Sequence, residues 1–166
     1  MSKFTLAHEI NCNAETFWKT FFDNEFNTRL FLEGLSFRKY SIVNQQEQVT
    51  QIINTFVAEP NADLPGPVQK LLGSNFNYTE EGTFDKSRQI WRWKAIPSTS
   101  ADKVRAEGIT RVEPIGSDKV RRIAEVTLEA KIFGVGGLIE SSAEKQVREG
   151  CDKSAIYMNK FLAASH

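Results

Sequence analysis

Three polar residues stand where strand alternation groups them with apolar ones. His8 follows Phe4 and Leu6 in the series Phe4, Leu6, His8, Ile10; Glu80 lies between Tyr78 and Gly82; Arg122 lies between Val120 and Ala124. Successive strand residues face opposite sides, so each of the three is directed toward a core. A charge buried there alone is costly and demands a partner. Glu80 and Arg122 would satisfy each other, and the pair could hold a ligand hydroxyl or carboxylate. His8, with an ordinary pKa of about 6.5, could serve as acid or base. The plainer alternatives are a hydrogen-bonded strand histidine, an arginine that reaches solvent at a strand end, and a register slip that turns Glu80 outward. None of the three is assigned a catalytic role.

Trp91 and Trp93 share one face of their strand, with Arg92 and Lys94 opposite. Two inward indoles would either line a pocket with flat apolar surface or simply pack the core. The stronger hint of a pocket is a scarcity of bulk. Near the C-terminus, apolar and small residues recur at helical spacing from Leu138 to Leu162, and the middle of that stripe carries Ser142, Ala143, Gly150, Cys151, Ser154 and Ala155. Strand positions expected to face it are small too: Ala106, Gly108, Thr110 and Ala124. Protein interiors fill space to crystal-like density, so small against small leaves either a cavity of roughly a few hundred Å³ or a close approach of helix and sheet. The residues expected to line such a cavity are Phe76, Tyr78, Glu80, Trp91, Trp93, Thr110, Arg122, Leu128, Val147, Cys151, Ala155 and Met158. In Glu59–Ser74, three prolines and the triplet Val68, Leu71 and Leu72 suggest a short helix in a long connection. It could be a lid that touches a membrane during ligand exchange, or a loop pinned by those apolar contacts.

The bulk numbers narrow the classes. The 166 residues carry 21 Lys and Arg against 21 Asp and Glu. A net charge near zero argues against bulk attraction to nucleic acid or anionic lipid. Cys12 and Cys151 lie far apart, outside any metal or redox spacing, and read as small buried hydrophobes. No nucleophile–base order, metal-ligand cluster or phosphate-cradling glycine loop appears, so no metal and no cofactor is expected; Gly134-Val-Gly-Gly137 lacks the third glycine spacing and a βαβ context. The N-terminal stretch is too broken for a signal peptide, and no run approaches about 20 apolar residues. A cytoplasmic location is the expectation, with the Asn77-Tyr-Thr79 sequon unused.

The elements follow from period changes. Phe4 to Ile10 alternates as a strand. Asn13 and Asp23 are placed to cap two short helices, Ala14–Phe22 and one running to about Leu32, stopped by Gly34. Runs of β-branched and aromatic residues predict strands over 37–44, 49–58, 75–85, 89–96, 103–113 and 119–133, with turns at Gln45–Gln48, Lys86–Ser87 and Pro114–Ser117. A helix of roughly 27 residues, about 40 Å long, closes the chain. Within it Gly150 should mark a bend or a close approach, because glycine costs a helix about 1 kcal/mol relative to alanine. An antiparallel sheet of so many strands must twist and curl, and the long helix is what can cover its concave face.

This order, with Phe4-Thr-Leu-Ala-His-Glu-Ile10, Ala14-Glu-Thr-Phe-Trp18, Leu64-Pro-Gly-Pro-Val-Gln-Lys-Leu-Leu-Gly73 and Ile132-Phe-Gly-Val-Gly-Gly-Leu-Ile-Glu140, resembles the START-like (Bet v 1-like, SRPBCC) superfamily over the whole chain, 1–166, in an uncharacterised bacterial branch. The resemblance implies an α+β helix-grip fold, about seven strands wrapping a C-terminal helix, in one domain. It implies a small hydrophobic ligand, such as a lipid, sterol or polycyclic compound, held or carried between sheet and helix. It also admits polyketide cyclase/aromatase-like enzymes and cochaperone-like modules, and fold alone does not choose. The outward series Arg105, Glu107, Arg111, Glu125, Glu129 and Lys131 looks solvated rather than built for a partner.

Overall fold

A computed structural model describes residues 1–165. Strand β1 (Ser2–Ile10) leads into helices α1 (Ala14–Phe21) and α2 (Asn24–Arg29), which continues as one π turn over Leu30–Gly34. The two caps form as the side chains dictate: Asn13 accepts from the Thr16 amide at 2.9 Å and Asp23 from the Phe26 amide at 2.8 Å. Strands β2 (Lys39–Glu47) and β3 (Gln51–Glu59), the short helix α3 (Gly66–Leu72), and β4 (Tyr78–Asp85), β5 (Ile90–Pro97), β6 (Val104–Gly116) and β7 (Lys119–Ala130) precede the long helix α4 (Gly136–Ala164). The seven strands form one antiparallel sheet in the order β1-β7-β6-β5-β4-β3-β2, so only β1 joins out of sequence. This is the α+β helix-grip arrangement.

Several boundaries differ from the sequence expectation. The first hairpin does not turn at Gln45–Gln48, because Asn44–Glu47 continue the ladder with Thr55–Ile52 beyond a bulge at Ile42/Asn44. A second irregularity, at Pro114/Gly116, carries β6 through Gly116. Strand β7 stops at Ala130 rather than Phe133: the chain turns there, with Gly134 at φ +82°, a left-handed conformation that glycine adopts without strain.

Helix α4 does not sit over the middle of the sheet. Its principal strand contacts are with β1 and β7, and it also touches the π turn. A polar seam holds it there. Glu140 receives the N-terminal ammonium of Met1 at 2.8 Å and the Ala130 amide at 3.0 Å. Ser2 hydrogen-bonds Glu144, Arg148 lies 4.7 Å from the Phe4 ring centroid, and Asp152 meets His8. Asn159 accepts from the Asn11 amide and donates to the Glu9 carbonyl. The first four helix positions are spaced i, i+4, which puts them on one face. The seam therefore runs along β1 and covers the edge of the sheet.

Candidate functional site

The sheet register sets the inner face in rows. One row crosses Leu6, Ala124, Thr110, Trp91, Phe84 and Ile52; the next crosses Phe4, Val126, Gly108, Trp93, Gly82 and Asn54; the third crosses Ser2, Leu128, Ala106, Ala95, Glu80 and Phe56. The first row belongs to a packed core. Phe84, Trp91 and Val120 join Phe17, Trp18 and Phe26 of the short helices and Ala155, Met158 and Leu162 of α4. At the opposite end Val68 and Leu72 of α3 pack on Ala130 and Ile139, with Phe76 and Ile132 beside them. Between these two clusters lie the second and third rows, where side chains are smallest.

The chain's own tryptophans fill part of that space. A Cβ at Gly82 would overlap the Trp91 indole, and one at Gly108 would run into the Glu125 backbone carbonyl of β7 before crowding Trp93 at 2.9 Å. Gly82 is therefore a seat for the Trp91 indole, while Gly108 is required first by the close backbone of β7. Trp91 is buried at 3% exposure, while Trp93 keeps accessible surface. So do Ala95, Ala106, Gly108, Tyr78 and Glu80 on the sheet, and Ala143, Gln146, Val147, Gly150, Cys151 and Ser154 on α4. Inner-face residues with accessible surface must border open space. Gly150 agrees in part: a Cβ there would meet nothing within 4 Å, so no close approach explains this glycine.

The floor of this hollow is polar. Burial pushes the Glu80 carboxyl up to about 8. That charge reaches the groups around it. Burial raises the Tyr40 and Tyr78 phenols and the carboxylate adds to both. The Cys151 thiol across the hollow is raised by burial, drawn back by Arg122, and raised further by Asp152 and Glu80. Asn54, buried at 5% exposure, leaves its Oδ1 without a hydrogen-bond partner. Sequence reading missed Asn54 and Tyr40. The alternation of Asn54 with Ile52 and Phe56 is the signal that could have found the first.

The expected Glu80–Arg122 pair does not form. Glu80 is on β4 and Arg122 on β7, three strand spacings apart in the sheet order, or about 14 Å at roughly 4.8 Å each. Arg122 instead pins α4: Nη1 donates to Ser154 Oγ at 2.9 Å, and Nη2 to the Cys151 carbonyl at 2.9 Å and to His8 Nδ1 at 3.3 Å. Burial lowers its pKa, which the charges of Cys151 and Asp152 partly restore. His8 completes a chain, with Nε2 facing Asp152 Oδ1 at 2.6 Å. Both ring nitrogens are engaged, the signature of a hydrogen-bonded strand histidine.

The expected lining residues thus separate into groups. Tyr78, Glu80, Trp93, Val147 and Cys151 keep accessible surface between the two packed clusters. Thr110, Arg122 and Leu128 are on the inner face of the sheet but buried. Trp91, Ala155 and Met158 belong to the packed core, and Phe76 to the cluster under α3. Of the three lid residues, Val68 and Leu72 are buried against α4 and β7 while Leu71 is exposed. Phe76 also borders a recess of about 60 Å³ beside α3. A larger concavity, about 640 Å³, lies over β1, β7, β6 and β5. Seven of its lining residues, Lys3, Thr5, Arg92, Glu107, Ile109, Glu125 and Thr127, alternate with the inner rows; the other four, Phe4, Trp93, Gly108 and Val126, belong to the second inner row, and no α4 residue borders it. Among the described residues no group of His, Cys, Asp and Glu could hold a metal ion, and no helix is long and apolar enough to cross a membrane.

Comparison with known proteins places this architecture. The family described as "Protein of unknown function (DUF2505)" matches residues 5–162. No curated protein matches. Among solved structures, TTHA0849 from Thermus thermophilus is similar at a TM-score of 0.67 and 20% identity, covering 99% of this chain and 100% of that one. The Zhui aromatase/cyclase from Streptomyces sp. R1128 is similar at 0.67 and 9% identity, covering 97% and 95%. A START superfamily protein from Mycobacterium smegmatis gives 0.62 and 11% identity, covering 99% of both chains. These likenesses show the START/Bet v 1-like fold.

Proposed function

From the premise that this chain belongs to the DUF2505 family and has the START/Bet v 1-like fold, we propose that it holds a small hydrophobic ligand between the sheet and α4. One observation carries the reading. Inner-face residues in the middle of the grip keep accessible surface while the chain packs solidly at both ends of it. Affinity would come from apolar ligand area removed from water, at about 25 cal/mol per Å², with a few polar groups fixing orientation. Trp93 and Tyr78 offer flat apolar walls, and Glu80 offers a polar point. Helix α3 stands at one end, and Leu71 is its exposed apolar residue. Native mass spectrometry of protein purified from its own host should find a bound lipid-like or polycyclic compound. An empty protein that also fails to bind a panel of fluorescent fatty acids and sterols would overturn the proposal.

A second reading, an aromatase/cyclase-like enzyme, is favoured by Glu80 in particular. A carboxyl raised to about 8 can exchange a proton near neutral pH, which is what a general acid or base needs. His8 is less suited, since both of its nitrogens are occupied. On this reading Glu80→Gln abolishes turnover of a cyclisable substrate and leaves its binding intact. Unchanged conversion excludes the role.

A further inference from the structure

We infer that the hollow is selective for an apolar, ring-bearing molecule carrying a hydroxyl, which it seats against Asn54 of β3 and Glu80 of β4. The inference rests on the binding role proposed above and specifies its ligand. Asn54 and Glu80 face inward from adjacent strands in neighbouring register rows, so they are diagonal neighbours about 7–8 Å apart. The Asn54 Oδ1 is buried and unpartnered. Burial is the sole cause that shifts Glu80, and no hydrogen bond or opposite charge among the described residues compensates it. An unmade hydrogen bond at a buried polar group is costly, so a ligand that completes it recovers that loss. A hydroxyl both donates and accepts, and therefore suits an amide and a carboxyl in either protonation state. Trp93 lies in Asn54's own row, across Gly82, and keeps accessible surface, which favours a flat ring next to the hydroxyl.

The opposite wall argues against an anionic headgroup. Both terminal nitrogens of Arg122 already hydrogen-bond, to Ser154, the Cys151 carbonyl and His8. A carboxylate would find few free donors there, and on the floor it would face Glu80. The ligand class is thus an alcohol or phenol rather than a fatty acid.

The test uses displacement of Nile red from the full-length protein at pH 7 by three matched probes: 2-naphthol, 2-methoxynaphthalene and 2-naphthoate. The naphthol should displace the dye at a concentration about 10-fold lower than either analogue, the size of one good hydrogen bond. In Asn54→Leu and Glu80→Leu, assayed separately, that advantage should shrink to about 2-fold or less while 2-methoxynaphthalene binds at least as well. Both substitutions remove uncompensated polar groups, and circular dichroism would confirm that the variants fold. Equal affinity of the three probes for the unmodified protein, or a preference for 2-naphthoate, overturns the inference and leaves the binding role standing. If neither the dye nor any probe binds, the binding role falls and the inference falls with it.

Discussion

A carboxyl without a partner makes its cost visible as a pH dependence. Glu80 has a folded-state pKa of about 8 against an ordinary value of 4.5, so the folded chain holds this proton more tightly than the unfolded chain. The associated stability is fully present below pH 4.5 and is lost as pH rises through 8. Glu80→Gln removes the titration. The variant and the parent should melt alike at pH 4, and the variant should melt higher at pH 9. One pKa unit alone is worth about 1.4 kcal/mol, which for a chain of this length moves Tm by at least about 3 °C. Differential scanning fluorimetry at the two pH values reads this directly, and equal Tm at pH 9 would show the carboxyl to be better solvated than its position implies. At this scale the sequence was half legible. Alternation turned Glu80, Arg122 and His8 inward, as found. It could not supply their partners, because Glu80 and Arg122 are 42 residues apart in the chain and which strands lie between them is a property of sheet order alone.

At the scale of elements, α4 carries two messages on one sequence. Its small and apolar stripe was readable at helical spacing. The polar seam of Glu140, Glu144, Arg148 and Asp152 was not read, although its i, i+4 spacing is regular, because charged residues on a helix ordinarily mean a solvated face. Only the pairing of β1 with β7 brings an edge strand to that face. The seam gives the helix a fixed bearing without filling the hollow, and the two stripes can be tested separately. Gly150→Ala should raise stability by about 1 kcal/mol, since alanine is the better helix former and its methyl meets nothing within 4 Å. Arg122→Ala should lower it by about 1.5–3 kcal/mol, because hydrogen bonds from a buried charged group are lost together. Urea melts of the two variants should therefore shift in opposite directions with unchanged slope. A loss of stability in Gly150→Ala would mean that something other than open space stands against the helix there.

At the scale of the whole molecule, the fold places solid packing at the two ends of the grip and small side chains between them. The aromatic cluster of α1, Phe84 and Trp91 is tight, with Trp18 and Phe84 ring centroids 4.4 Å apart, and helix α3 closes over Ala130 and Ile139 at the other end. The order of strands and helices made this outline legible from sequence. The filling of its middle was not, because it depends on the Trp91 indole lying over Gly82 and on a helix displaced toward β1. Two kinds of occupant can compete for what remains: a ligand, or a larger side chain of the protein itself. Ala106 lies on the third inner row beside Ala95 and keeps accessible surface. A phenylalanine there would occupy the space that a ring-bearing probe needs. A probe present at 100 times its Kd should stabilise the unmodified protein by about 2.7 kcal/mol, or roughly 5–11 °C in Tm, and Ala106→Phe should remove that shift without lowering the melting point of the free protein. If Ala106→Phe instead melts well below the parent, the ring has been forced into a region already packed, since overpacking costs about 1–3 kcal/mol. The sign of that one change in Tm separates a grip built to hold something from a grip closed on itself.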